Sequence, residues 1–98
     1  MAAYVIGEIE VHDADGYEPY KRRSETSIAA HGGRYIVRGG ETQAVEGDPP
    51  RGRIVVLEFP DLAAARAWYD SAEYTEARPI RHATADGRIF FVDGVPGD

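Results

Sequence analysis

One acidic side chain lies inside an otherwise apolar segment of the chain. Glu58 follows the run Ile54-Val55-Val56-Leu57, and in a strand it would share a face with two members of that run. A carboxylate buried in this way has to be paired or become protonated. Arg38, which ends the preceding predicted strand, is the expected partner. The two residues form either a structural ion pair or a site in which Glu58 is a general base and Arg38 binds an anion. Glu8, on the first predicted strand, is a weaker candidate of the same kind.

Aromatic side chains form a second group of candidates. Tyrosine and tryptophan combine an apolar ring with a polar atom, which suits a ligand cleft between helices and a sheet. The alternative is that they are ordinary core residues, and we expect this for at least two of the four. The candidate ligand-binding residues of this group are Tyr20, Trp68, Tyr69 and Tyr74.

Three cationic or titratable side chains on the predicted helices complete the candidates. Histidine changes charge near neutral pH, so His31 at the end of the first predicted helix is an additional catalytic candidate. Its alternative role is to interact with the negative end of that helix. Arg78 and Arg81, three residues apart, would hold an acidic ligand or else lie on a solvated helix face.

Hydrophobic periodicity predicts the elements that position these residues. Strands are predicted at residues 3–11, 34–38, 53–59 and 88–93, with the second strand continuing beyond Gly39-Gly40 into 41–46. One helix is predicted from an N-cap near Asp13 to about Ala30, ended by Gly32-Gly33. A helix carrying Trp68 follows Asp61, and a new N-cap at Ser71 starts a further helical piece over 72–83. Asp86-Gly87 is predicted to be a turn, and the tail from Gly94 is predicted to be frayed or packed on a partner.

The predicted order of elements is β-α-β-β-α-β, which is typical of the α+β ferredoxin-like fold. Its four-stranded antiparallel sheet is covered by helices on one face, which leaves the other face bare. The third and fourth predicted strands are apolar on both faces, so the bare face needs a cover. Packing of two such sheets against each other, in a homodimer, would provide it. The interior is either fully packed or contains a ligand cavity. If there is a cavity, it is expected where the sheet meets the helices, with Arg38, Glu58, Trp68 and Tyr20 in its walls.

Composition excludes several classes of function. The net charge of −6 argues against a nucleic-acid partner, since phosphate binding needs a basic surface. The absence of cysteine excludes disulfides, thiolate metal sites and cysteine nucleophiles. His12, His31 and His82 lack the short spacing of metal ligands, so we expect neither a metal nor another cofactor. No apolar run of membrane-spanning length or secretion signal is found, and a cytoplasmic protein without membrane association is expected.

Two segments of the chain resemble a known family. The run Trp68-Tyr69-Asp70-Ser71-Ala72-Glu73-Tyr74 and the glycine-bounded strand 32–40 resemble the DUF1330 family, a branch of the dimeric α+β barrel proteins. The resemblance covers nearly the whole chain and implies that residues 1–98 form one domain that pairs into a dimeric α+β barrel. Proteins similar by superfamily include monooxygenases, haem enzymes and isomerases as well as non-catalytic modules, so the fold does not choose a reaction. Two hypotheses follow: a cofactor-independent enzyme acting on an aromatic or carboxylated metabolite, or a non-catalytic binding or stress/regulatory module.

Overall fold

Within residues 1–96, which the computed structural model describes, the chain forms four strands and three helices. The second helical region is split in two, as the N-cap at Ser71 predicts. The elements in chain order are β1 (Ala3–Val11), α1 (Ala14–Ala30), β2 (Arg34–Arg38), β3 (Arg53–Phe59), α2 (Leu62–Tyr69), α3 (Ala72–Thr84) and β4 (Ala85–Asp93).

The four strands form one antiparallel sheet in the order β2-β3-β1-β4. This order confirms the predicted ferredoxin-like fold. Alternate residues of β1, such as Val5 and Ile9, are buried under the helices, as are Leu57 and Phe59 of β3. The core therefore lies between one face of the sheet and the three helices.

Side-chain caps and glycines define the ends of the helices. Asp13 Oδ1 accepts a hydrogen bond from the Gly16 amide at 3.0 Å, and Asp61 Oδ1 accepts one from the Ala64 amide at 2.7 Å. These bonds satisfy amides that have no partner within the helix. After α1, Gly32 takes a positive φ of 78°, a conformation that glycine adopts without steric cost.

The face of the sheet away from the helices has an apolar centre. The register places four apolar side chains in one row across all four strands: Phe90, Ile6, Val56 and Val37. Phe90 is 44% exposed and Val37 39% exposed in the single chain. Ion pairs flank this row on either side, one between Arg34 and Glu58 and one between Arg88 and Glu8.

The structure corrects two predictions about strands and turns. Residues 41–46 do not continue β2; they belong to an exposed connection that spans 39–52. Gly39 has a φ of 72°, which turns the backbone out of the extended conformation at that point. Asp86-Gly87 is not a turn either, because β4 begins at Ala85 and both residues pair with β1. Gly87 is required for close packing instead, since a Cβ there would collide with the carbonyl oxygen of Glu8.

The C-terminal tail is described as far as Pro96. Gly94 donates its amide hydrogen to the Ala2 carbonyl at 2.7 Å, so the chain beyond β4 begins paired with the start of β1. The rest of the predicted tail, Gly97 and Asp98, lies outside the described residues.

Candidate functional site

A cavity of about 40 Å³ lies between α1, α2 and the helix-facing side of the sheet. This is the place predicted for it. Its floor is apolar and comes from β1, β3 and β4, through Val5, Ile9, Val55, Leu57 and Ile89.

Aromatic rings form the walls of the cavity. Tyr17 and Tyr20 lie three residues apart on α1, so both point to the same side, and their ring centroids are 5.0 Å apart. Tyr35 enters from β2, where it pairs with Leu57 on the helix-facing side. Trp68 of α2 completes the wall and is 1% exposed. Tyr20 and Trp68 were predicted to line this cavity, whereas Tyr17 and Tyr35 were not.

Two cations at the rim of the cavity already have carboxylate partners. Lys21 Nζ is 3.1 Å from Glu18, and Arg38 Nη2 is 3.2 Å from Glu25. Arg38 also stacks on Tyr35, with its guanidinium carbon 4.2 Å from the ring centroid. The two cationic side chains are 34% and 35% exposed, so they mark where the cavity meets solvent.

The third cation, Arg53, has no such partner. Its Nε is buried and has no hydrogen-bond partner among the described residues, and it forms no ion pair within residues 1–96. Its guanidinium packs beside Gly39, where an added Cβ would lie 2.8 Å from Nη2. Arg53 shares the helix-facing side of β3 with Val55 and Leu57 and lines the cavity with them. Strand alternation could have identified this residue, since it places position 53 on the face opposite Glu58.

The predicted pair of Arg38 with Glu58 is wrong. Arg34 holds Glu58 instead, with Arg34 Nη2 and Glu58 Oε1 2.8 Å apart on the bare face of the sheet. The register of β2 on β3 shifts between Tyr35 and Val37, which moves Arg38 opposite Val55 on the helix-facing side. In a regular strand, residues 34 and 38 would lie on the same face of the sheet. The shift in register between Tyr35 and Val37 adds one residue to β2, which puts residues 34 and 38 on opposite faces.

The predicted carboxylate bases therefore lie outside the cavity. Glu58 faces away from it, and Glu8 is 3.4 Å from Arg88 on the same bare face. Neither residue lines the cavity.

Tyr74 packs in the core behind the cavity wall. It is fully buried, and its ring centroid is 4.2 Å from that of Trp68. Its hydroxyl is 2.7 Å from the Tyr20 hydroxyl, which joins α3 to α1. Burial raises the pKa of Tyr20 well above the ordinary value of 10.0, and the adjoining Tyr74 raises it further. The indole N–H of Trp68 donates to Ser27 Oγ at 3.0 Å, so its polar atom is used within the protein.

Tyr69 and His31 also lie away from the cavity. Tyr69 packs edge-on against Phe91, with centroids 6.0 Å apart, and lines a groove beside β4. His31 caps the C-terminal end of α1, and its Nε2 is 3.4 Å from Glu73 Oε2 on α3. The pKa of Glu73 is lowered first by its own backbone amide and next by His31. The contact thus connects two helices, α1 and α3.

Within residues 1–96, no three histidine, aspartate or glutamate side chains are grouped so that they could hold a metal ion. None of the helices in those residues is long and apolar enough to cross a membrane.

Both the sequence and the fold of the chain resemble those of known proteins. A family model for DUF1330, a domain of unknown function, matches residues 2–95. The chain belongs to the DUF1330 family. The comparison with curated proteins gives no match for this DUF1330 chain.

Solved structures share the fold at low sequence identity. A protein of unknown function from Rhodopseudomonas palustris, RPA0582, matches with a TM-score of 0.79 at 20% identity, covering 96% of the DUF1330 chain and 82% of its own. A dimeric ferredoxin-like protein of unknown function from Jannaschia sp. CCS1 matches with a TM-score of 0.68 at 18% identity, covering 97% and 99%. SnoaB from Streptomyces nogalater, a cofactor-independent oxygenase, matches with a TM-score of 0.64 at 14% identity, covering 96% and 93%.

Proposed function

We propose that the protein binds a small aromatic or carboxylated metabolite in the cavity and acts on it without a tightly held cofactor. The observation that carries this proposal is Arg53, which lines a cavity walled by aromatic rings and whose buried Nε has no hydrogen-bond partner among the described residues. A guanidinium group keeps its charge and donates to carboxylate, phenolate or enolate oxygens. Tyr17, Tyr35 and Trp68 provide flat apolar surfaces for a ring.

The size of the cavity requires it to widen on binding. About 40 Å³ holds a few water molecules, whereas ligand sites usually measure about 300–1,000 Å³. The rim formed by Lys21 and Arg38 is the place to open, because their ion pairs are partly exposed and therefore weak. The exposed connection 39–52 lies next to this rim, because it follows Arg38 directly.

Turnover is supported by the likeness to SnoaB, whose description as a cofactor-independent oxygenase shows that this fold can act without a resident cofactor. Among the described residues that line the cavity, the titratable side chains other than arginine are the tyrosines and Lys21. A reaction there would use these groups to donate or accept protons, with Arg53 holding negative charge that develops on the substrate.

A non-catalytic binding or regulatory module is the second candidate. The observation that favours it is the absence of any aspartate, glutamate or histidine from the described lining of the cavity. Such a protein would bind the same class of ligand through Arg53 and return it unchanged.

We further infer that two copies pair through the bare face of the sheet. The apolar row of Phe90, Ile6, Val56 and Val37 would otherwise stay in contact with water. The dimeric description of the Jannaschia protein supports this arrangement. A cytoplasmic location stays a prediction.

Trp68, the single tryptophan, allows a direct test because it lines the cavity. A set of small phenols and aromatic carboxylates is titrated while its fluorescence is recorded. At least one compound should give a saturable change, and Arg53→Met should weaken its binding about tenfold, equivalent to about 1.4 kcal/mol. Glu58→Gln is the control, since Glu58 faces the other side of the sheet, and it should leave the affinity unchanged. No saturable change with any compound, or equal effects of the two substitutions, would contradict the proposal.

The same compound then separates the two candidates. Incubation with the protein in aerated, chelator-treated buffer, followed by mass spectrometry, should show its conversion if the protein is an enzyme. Quantitative recovery of the unchanged compound would instead identify a binding module.

A further inference from the structure

A second group of cations lies beside the edge strand β4, away from the cavity rim. Arg81 and His82, at the C-terminal end of α3, line a groove together with Tyr69 and the first residues of β4. The groove measures about 400 Å³, which is within the usual range for small ligands, about 300–1,000 Å³. None of its functional side chains takes part in the proposed function.

Arg81 is a buried charge without a counter-ion on the described chain. The residue is 6% exposed, and it forms no ion pair within residues 1–96. Its Nη2 donates to His82 Nε2 at 3.3 Å, and its side chain also hydrogen-bonds to Tyr74. Its Nε is buried and has no partner among the described residues. A buried charge without a counter-ion lowers the stability of the folded protein unless an opposite charge or further hydrogen bonds are supplied.

The surroundings of Arg81 keep it charged but do not neutralise it. Burial lowers its pKa, but the nearby Tyr74 and Tyr20 hydroxyls outweigh burial and raise the pKa overall. The carbonyl groups at the end of α3 add at most about half a negative charge. A full positive charge therefore faces neutral hydroxyls and dipoles.

Arg78 adds a second cation on the same helix. Its guanidinium carbon is 4.5 Å from the centre of the Tyr69 ring, and Nη2 donates to Thr75 Oγ1 at 3.0 Å. It too forms no ion pair within the described residues. Arg66 also lies by Tyr69 but is held by Asp70 at 3.0 Å.

One acidic residue, Asp86, lines the groove. Its side chain is 83% exposed, and its described ionic contact is with His12 at 3.9 Å. Solvent screens an exposed carboxylate, so its repulsion of an anion near the buried Arg81 is weak.

We propose that this groove binds a small oxyanion, a carboxylate or a phosphate, with Arg81 as the buried anchor and Arg78 as the second cation. The guanidinium of Arg81, which lines the groove, donates to one oxygen of the anion, and the Tyr69 ring forms an apolar wall beside it. The groove and the cavity share the lining residue Ile89, but Arg81 lines only the groove and Arg53 only the cavity. The inference is therefore tested independently of the proposed function.

The test follows the side-chain N–H of Arg81 by ¹H–¹⁵N NMR in the full chain, assigned through bonds. Sodium phosphate and sodium acetate are titrated separately, with sodium chloride keeping the ionic strength constant. We expect a saturable shift of the Arg81 Nε–H signal, and the anion that saturates at the lower concentration identifies the class of ligand. Observation of the native side chain avoids a substitution at a buried position.

Two variants define which cations take part. Arg78→Met should weaken the apparent affinity about fivefold, because it removes an unpaired charge beside the groove. Arg66→Met is the matched control and should leave the affinity unchanged, because Asp70 already neutralises Arg66. The proposal is overturned if neither anion gives a saturable shift of the Arg81 signal, or if the two variants weaken binding equally.

Discussion

Two tyrosine hydroxyls meet inside the core and connect α1 to α3. Tyr20 and Tyr74 share a hydrogen bond of 2.7 Å at a place where ionisation of Tyr20 would bury a negative charge. Burial is the main reason that the pKa of Tyr20 is raised well above 10.0. A group whose pKa is higher in the folded state contributes stability below its unfolded pKa and loses it as the pH rises beyond that value.

The first prediction concerns this pair. The free energy of unfolding of the wild type should fall steeply above pH ~10, as unfolded tyrosine begins to ionise. Tyr20→Phe should cost about 1–3 kcal/mol at pH 7, because it leaves the buried Tyr74 hydroxyl without its partner. Above pH ~10 its stability should fall less steeply than that of the wild type. Urea unfolding between pH 7 and 11 measures both, and parallel profiles for the two proteins would contradict the assignment.

At the scale of an element, Ser71 separates α2 from α3. Its Oγ accepts a hydrogen bond from the Tyr74 amide at 3.2 Å and donates one to the Trp68 carbonyl at 2.6 Å. One hydroxyl thus serves the end of one helix and the start of the next. This connection turns the chain so that Trp68 and Tyr74 pack against each other.

Replacement of this cap gives the second prediction. Ser71→Ala should lower the free energy of unfolding by about 1 kcal/mol, the usual cost of losing an N-cap side chain. Thr75→Ala, on the exposed side of α3, is the control and should change stability by less than about 0.5 kcal/mol. Both are measured by chemical denaturation. Equal losses in the two variants would show that Ser71 does not act as a cap.

The elements also show what could be predicted from the sequence. Period-two alternation correctly grouped Glu58 with Ile54 and Val56 on one face of β3, but that face lies away from the helices and not in the predicted cavity. Apolar runs located β1 and β3 at their observed bounds. Alternation failed for Arg38, because a register shift inside β2 depends on pairing with β3 and leaves no mark in local composition. Asp86-Gly87 resembled a turn because its composition is that of turns, but the ladder to β1 was long enough to include it. Of the cavity-lining residues on the helices, the sequence predicted Tyr20 and Trp68. It did not predict Arg53, which lies on the helix-facing side of β3.

At the scale of the whole molecule, the bare face of the sheet gives the third prediction. Light scattering after size exclusion should give the mass of two chains at micromolar concentration. Val56→Asp should dissociate or unfold the protein, since it puts an unpaired carboxylate at the centre of the apolar row. Val45→Asp, at a position 89% exposed, should leave the mass and the melting temperature unchanged. A mass of one chain of 10.8 kDa as the sole wild-type species would exclude the dimer.

The fourth prediction concerns metal content. The chain has no cysteine, and its three histidines lie far apart in the sequence. Elemental analysis of the purified protein should therefore find no stoichiometric transition metal, and its solution should be colourless. About one zinc or iron atom bound per chain would contradict this and would make the histidines ligands.

The connection between β2 and β3 is a place where related chains can differ in length and sequence. Its ends are held by Gly39 and Gly52, both with positive φ, and a side chain at Gly52 would collide with the Ile9 carbonyl oxygen. Most residues between them are exposed, and doubling the length of such a loop costs only about 0.6 kcal/mol. New sequence can therefore be inserted there without altering the sheet register. Because Gly39 packs against Arg53, an insertion beside Gly39 would also change the surroundings of Arg53. If the cavity binds a ligand as proposed, exchange of this one loop would then change which ligand it takes.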